Sequence, residues 1–184
     1  MSARQPVEEI EAHYSVADPW NYEGNVDDDR RKSELLSVLP NKPFQRVLDI
    51  GCGDGFITFA LPGEQILGVD ISARAIEFAR LRNASQPDPS RIAFECLSLF
   101  DLSAKKLGQF DLIIITGVLY SQYIAKGAAN VRLIIDDLLE PGGILASCHI
   151  AAWQPVRFAY DPLDEIHYPY RDFTHVLEVL KKCS

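Results

Sequence analysis

The stretch RVLDIGCGDGF, Arg46–Phe56, sets an apolar run carrying one acid, Asp49, directly against glycines at alternate positions, Gly51, Gly53 and Gly55. Glycines there let main-chain amides face a neighbour with no Cβ in the way. Two readings stand for such a loop. It is either a tight strand-to-helix turn with nothing bound, or a cradle where a nucleotide-like group lies on the backbone at the carboxyl end of a strand.

Working outward from it, short apolar runs alternate with amphipathic stretches, the mark of a parallel sheet covered by helices. Arg46–Ile50 reads as the first strand, followed by a short helix over about 56–61 that Pro62 and Gly63 stop. Gln65–Asp70 is the second strand, and Ser72 is a natural N-cap for a helix through SARAIEFARLRNA. Arg91–Leu97 and Phe110–Thr116 follow as strands, the latter almost wholly apolar as expected of a strand buried on both faces. A helix over AANVRLIIDDLLE ends at PGG, and Ile144–Ile150 is the fifth strand. The final FTHVLEVLKK alternates with period two and reads as a sixth, antiparallel strand at or near the last positions of the sheet. Ahead of the sheet, PVEEIEAHY and DDDRRKSELLSVL are two cap helices. The expected fold is α/β: a doubly wound, Rossmann-like, mostly parallel sheet with an antiparallel C-terminal strand and an N-terminal helical lid. One domain is expected over 1–184, with the lid over 1–40 and the core over 45–184.

Composition narrows the function. Hydrophobic residues at 47% and charged residues at 24% argue against disorder and against a membrane protein, and Leu112–Ile115 is too short an apolar run to span a bilayer. The opening MSARQPVEEIEAHYS lacks the layout of a secretory signal, so a cytoplasmic location is expected. The net charge of −8, with no segregated basic patch, argues against nucleic acid as a partner. The one basic cluster, Arg30–Lys32, follows Asp27–Asp29 and reads as a solvated helix with its acids toward the N-terminus. Four cysteines show no C-x-x-C pairing, and the three in apolar runs, Cys52, Cys96 and Cys148, read as small buried residues in a reducing compartment.

Spacing then selects the ligand. A dinucleotide fingerprint places its last glycine three residues after the second, whereas here the gap is two and Phe56 comes next, which argues against a nucleotide-dependent oxidoreductase. Asp49 would oppose a pyrophosphate but suits a cationic amino group. Asp70, 19 residues beyond Gly51, stands where a carboxylate accepts the two hydroxyls of a ribose. The alternative for Asp70, a carboxylate at a helix N-terminus, competes with Ser72. An adenosine carrying an amino-acid tail and no phosphates, S-adenosylmethionine, fits all three features.

With VLDIGCGDGF, ILGVDIS, FDLIIITGVLY and LEPGGIL in this order, the chain resembles the class I S-adenosylmethionine-dependent methyltransferases over Val47–Leu145. The resemblance implies that Asp49, Gly51, Cys52 and Gly53 meet the methionine moiety, that Asp70 binds the ribose and that Ile71 packs on the adenine. It also places Thr116 at the cofactor. Ser98 stands where relatives often carry an acid that meets the adenine amino group, so the backbone near Ser98 and Leu99 is expected to supply that contact. Gly117 likewise replaces a frequent acid after the fourth strand. Without those acids, a module that binds the cofactor and transfers nothing is a rival reading.

A narrower likeness, through the Asp18-Pro19-Trp20 and Tyr22 segment, His149 and the Asp164–His167 segment, is to the nodulation-type N-methyltransferases that act on amino sugars. It implies a small-molecule amine acceptor; a hydroxyl oxygen is the alternative, and a monomer or homodimer is expected. His149, His167 and Tyr120 are the candidate catalytic residues, since an amine must present a neutral lone pair and a base near pH 7 helps it do so. A half-buried histidine capping the strand is the other reading of His149, and a surface loop that of the Asp164–His167 pair. A metal held by His149, Asp164 and His167 is not expected, and His13 and His175 read as ordinary. Tyr14, Trp20 and Tyr22 are expected to form a lid over the sulfonium, or else to pack on the domain. Tyr120 and Tyr123 face the acceptor, and Tyr160, Tyr168 and Tyr170 form a second aromatic cluster for stacking or packing.

Overall fold

The structure, a computed structural model, describes residues 4–153 and 156–183. Two helices lead the chain, α1 (Val7–His13) and α2 (Val26–Val38). Asn25 opens α2 by accepting from the Asp27 amide, and Asp27–Asp29 fill its first turn where the helix dipole favours negative charge. Then come β1 (Arg46–Ile50), β2 (Gln65–Asp70), α3 (Ala73–Asn83), β3 (Ile92–Cys96) and β4 (Phe110–Thr116). The chain continues through α4 (Ser121–Ile124), α5 (Ala128–Leu138), β5 (Leu139–Ile150), β6 (Asp161–Tyr170) and β7 (Phe173–Lys181).

The strands form one sheet in the order β3-β2-β1-β4-β5-β7-β6, parallel from β3 to β5 and antiparallel beyond. The order reverses between β1 and β4, so a crevice opens at their carboxyl ends, beside the glycine loop. Apolar side chains alternate to the two faces. On one, Val47, Leu112 and Ala146 join Leu35 of α2 and Ile76 of α3; on the other, Leu48, Ile113 and Leu145 join Val131 and Ile135 of α5.

Several expectations need correction. The stretch 56–61 holds only a 3-10 turn, Thr58–Ala60, because Pro62 and Gly63 leave no room for a second helical turn. The PGG segment lies inside β5, which starts at Leu139 and bulges, with Gly142 at φ +76°, before pairing resumes at Ile144. The segment before the last strand is itself the strand β6, so that strand pairs on both sides, with β5 and β6. Pro162 and Pro169 sit in β6 without breaking the sheet because β6 is its edge. Finally, Cys52 and Cys148 are buried but Cys96 is exposed, at the carboxyl end of β3.

The cap helix α2 is not the solvated helix its charges suggest. Asp28, Arg31 and Leu35 lie on its buried stripe, at spacings of three and four. Asp28, fully buried, accepts from Tyr170 Oη at 2.7 Å and Arg171 Nη2 at 2.7 Å, which ties the cap to the β6–β7 turn.

Candidate active site

A cavity of about 590 Å³ lies at the carboxyl ends of β1, β2, β4 and β5 and is closed from the N-terminal side by Ile10, Tyr14, Trp20 and Tyr22. That volume falls within the ~300–1,000 Å³ of small-molecule sites.

At its floor the glycine loop is pinned by its own backbone. Gly51 and Cys52 donate to the Val69 carbonyl at 2.8 and 3.0 Å, and Gly53 donates to Asp70 Oδ2 at 3.0 Å. At Gly53, φ is +56° and a Cβ would stand 2.8 Å from Tyr14 Oη, so the side-chain-free loop admits the lid tyrosine as well as a ligand. The other Asp70 oxygen accepts from the Ser72 amide at 2.9 Å. Burial raises the Asp70 pKa above its ordinary range while the amides of Ser72 and Gly53 oppose the rise. Asp49 is buried, accepts from Thr58 Oγ1 at 2.6 Å, and is pushed up to about 6 by burial. Burial also raises Tyr14, so the lid contributes a neutral hydroxyl.

Along the next wall, Ile71, Ser98, Leu99 and Thr116 line the cavity. Ser98 spends its hydroxyl on the Phe100 amide at 3.3 Å, capping a 3-10 turn, which leaves backbone to meet a ligand there. Gly117, at φ +70°, lines the cavity without a side chain, so the usual carboxylate is absent from that position.

The opposite end is aromatic. Tyr120 is buried, its hydroxyl accepts from the Ile150 amide at 2.8 Å, and Trp153 packs edge-on against its ring at 4.8 Å. Burial pushes Tyr120 up to about 12, so its hydroxyl stays protonated at neutral pH.

The two histidines expected to be catalytic do come together, but elsewhere. Cys148 and Ile150 of β5 face the cavity, so His149 between them points to the other side of the sheet. It pairs with Val176, which pairs in turn with His167, and both histidines line a separate polar recess of about 540 Å³ with Glu165, Glu178 and Arg157. His149 is 4% exposed, its Nδ1 has no partner among the described residues, and burial lowers it to about 4. His167 is exposed and bonds Glu165 Oε1 at 2.8 Å, so the expected pairing with Asp164 is replaced by one with the next acid. Among the described residues no group of three acids, histidines or cysteines is placed to hold a metal.

Two residues the sequence did not single out occupy the cavity instead. His175, read as ordinary, is buried against it, its ring stacked on Tyr170 with centroids 3.9 Å apart. The signal was the period-two run itself, which puts His175 on one face with Leu177 and Val179. Arg31 lines the cavity with Nη2 3.4 Å from Asp28 Oδ1, its guanidinium 4.7 Å from the Tyr22 ring and its buried Nε without a partner. A buried guanidinium N–H left unpaired is costly unless a ligand satisfies it.

A switch-point crevice with a glycine loop, the carboxylates Asp49 and Asp70 beside it and an aromatic roof is the arrangement of a Rossmann-like methyltransferase. The chain belongs to the methyltransferase domain family, whose model matches residues 41–172, and it is a class I S-adenosylmethionine-dependent methyltransferase domain. Its fold is similar to that of the N-methyltransferase NodS from Bradyrhizobium japonicum WM9, solved with S-adenosyl-l-homocysteine. The TM-score is 0.79 at 22% identity, over 97% of this chain and 98% of that one. By sequence it is 31% identical over 101 residues to a ubiquinone biosynthesis O-methyltransferase of Chromobacterium violaceum, covering 54% of this chain and 41% of that protein. It is 27% identical over 157 residues to the malonyl-[acyl-carrier protein] O-methyltransferase of Acetivibrio thermocellus, covering 79% of this chain and 52% of that protein. The chain therefore spans about half or less of the length of these curated relatives. No helix among the described residues is long and apolar enough to cross a membrane.

Proposed function

We propose that this domain transfers the methyl group of S-adenosylmethionine to a small, ring-bearing acceptor that enters uncharged, at a hydroxyl oxygen. The observation that carries the reading is the uneven distribution of charge in one cavity. Its two lining carboxylates, Asp49 and Asp70, both stand at the glycine loop, while the part lined by Tyr120, Trp153 and Tyr170 has no lining acid.

The cofactor supplies an activated methyl on a sulfonium. At the glycine loop, Asp70 would take the ribose, Ile71 the adenine face and Asp49 the amino group, and the unpaired Arg31 Nε would meet the tail carboxylate. Asp49 and Arg31 are near enough to feel one another's charge, as a zwitterionic tail requires. Tyr14 and Trp20 exclude water, which favours a displacement in which charge disappears from the sulfonium. Positioning then does most of the chemistry.

An ammonium acceptor would find aromatic faces but no carboxylate, and would sit near the Arg31 guanidinium. The O-methyltransferase relatives support the oxygen reading. The amino-sugar nitrogen remains a second reading, favoured by the N-methyltransferase whose fold matches nearly end to end. Calorimetry should show binding of S-adenosylmethionine and its demethylated product, and absence of binding by the folded chain would sink the proposal. Release of S-adenosylhomocysteine with catechol but not glucosamine at neutral pH is expected; the reverse selects the nitrogen reading.

A further inference from the structure

We propose that His175 receives the acceptor's proton at Nε2 during methyl transfer, and that Tyr168 fixes the ring tautomer that makes this possible. The inference rests on the methyl-transfer reading above and adds a residue to it.

The geometry begins with the sheet. His175 pairs with Ile150 on one side and Tyr168 on the other, so it stands at the carboxyl end of β5, where the cavity opens. Its ring is clamped. Tyr170 stacks on one face at 15° between planes, and Tyr168 meets it edge-on at 78° with centroids 5.5 Å apart. Nδ1 lies 3.3 Å from Tyr168 Oη and 3.5 Å from Cys148 Sγ, and the Tyr168 hydroxyl is itself 3.2 Å from that sulfur. Among the described residues nothing hydrogen-bonds Nε2.

Two proton arrangements satisfy these distances. In one, Nδ1–H donates to Tyr168 Oη, whose own hydroxyl donates to Cys148 Sγ, and Nε2 keeps its lone pair for the cavity. In the other, the tyrosine donates to Nδ1 and Nε2 carries the proton. The first is the working arrangement, because it alone leaves Nε2 with the lone pair that receives a proton. The tyrosine thereby acts as the orienting partner that a base requires.

Charged and titratable groups surround His175: Arg31 from α2, Cys148 from β5, Tyr168 and Tyr170 from β6, and Arg171 from the turn, with Asp28 behind Tyr170 and His149 on the opposite face of the sheet. Burial first, then Arg31, His149 and Arg171, lower it to about 4, so it is neutral at physiological pH. A base that weak cannot strip a resting ammonium. It suffices for a hydroxyl, whose proton becomes strongly acidic as the oxygen bonds to carbon. The step balances: the oxygen–carbon bond forms, the sulfur–carbon pair returns to sulfur, and the hydroxyl proton moves to Nε2. One positive charge leaves the sulfonium and one appears on the imidazole, so the cavity's net charge does not change.

The test is the tautomer of His175 in histidine-¹⁵N-labelled protein saturated with S-adenosylhomocysteine, assigned by the signal lost in His175→Gln. Nδ1–H with a bare Nε2 is expected at pH 7, and Tyr168→Phe should raise the Nε2–H population; Nε2–H in the unmodified chain overturns the proposal. With catechol as the probe acceptor, His175→Gln should lower kcat roughly 10²–10⁴-fold with affinity for S-adenosylhomocysteine within about twofold. An unchanged kcat also overturns it. Failure of the methyl-transfer reading would appear separately, as absence of cofactor binding in the unmodified chain, and the tautomer would still be decided by the spectrum.

Discussion

The parallel half of the sheet, β3 to β5, and its antiparallel end, β5-β7-β6, face the same cavity but are built on opposite terms. In the parallel half the cavity floor is a glycine loop whose amides bond back to the end of β2, with the carboxylates of Asp49 and Asp70 beside it, held by Thr58 and by the amides of Gly53 and Ser72. At the antiparallel end they are side chains, held by contacts that cross the chain: Tyr170 reaches Asp28 across 142 residues, and Cys148 reaches His175 across 27. The loop's bonds stay within the first two strands, 17 residues apart for Gly53 and Asp70. A site built from strand pairing can change its chemistry with the register, and that is where the acceptor would be chosen.

Four substitutions test that division. Asp70→Ala, in the parallel half, should weaken cofactor binding by about 1–3 kcal/mol, the scale of charge-assisted hydrogen bonds. Calorimetry on the folded variant checks it, and unchanged affinity would remove Asp70 from the ribose role. Arg31→Met, from the cap, should cost about 1.5–3 kcal/mol in cofactor binding while Asp28 keeps its bonds to Tyr170 and Arg171. Binding that falls only for the cofactor, and not for adenosine lacking the amino-acid tail, would place the loss at the carboxylate. An equal fall for both would break the assignment.

Tyr120→Phe leaves the buried Ile150 amide without its acceptor and should lower stability by about 1 kcal/mol in urea unfolding, with cofactor affinity retained. The smallest effect on function belongs to His149→Gln, which should leave cofactor binding and methyl transfer unchanged because the side chain lies in the other recess. Its effect is on stability against pH. His149 has a folded pKa of about 4, below the 6.5 of an unperturbed histidine, so the folded state resists its protonation. The stability it contributes is present above about 6.5 and is lost as pH falls toward 4. Thermal unfolding at pH 7.5 and 4.5 should accordingly show a smaller acid-induced drop in the variant than in the unmodified chain. A loss of methyl transfer instead would return His149 to the site.

How much was legible follows the same division. The strands β1, β2 and β4, the Ser72 cap and the acid-glycine loop each rest on signals within a few residues, and the structure forms them at the expected bounds. Strand β6 escaped because Pro162 and Pro169 argue against a strand unless an edge position is known in advance, and only the pairing with β7 makes it an edge. Arg31 escaped because three acids and three bases in a row describe a solvated face, and nothing local reports that Asp28 would meet Tyr170.

By itself, then, the sequence determined the class of fold, the glycine loop and the carboxylate that closes β2, because turn chemistry and apolar period act over short spans. The tertiary structure alone decided which histidine lines the cavity. Side chains on a strand alternate faces, so whether His149 or its neighbours Cys148 and Ile150 point to the cavity depends on how β5 sits in the sheet and which face the cap covers. That placement is set by β7 and β6, whose contacts with α2 no single segment of the chain contains.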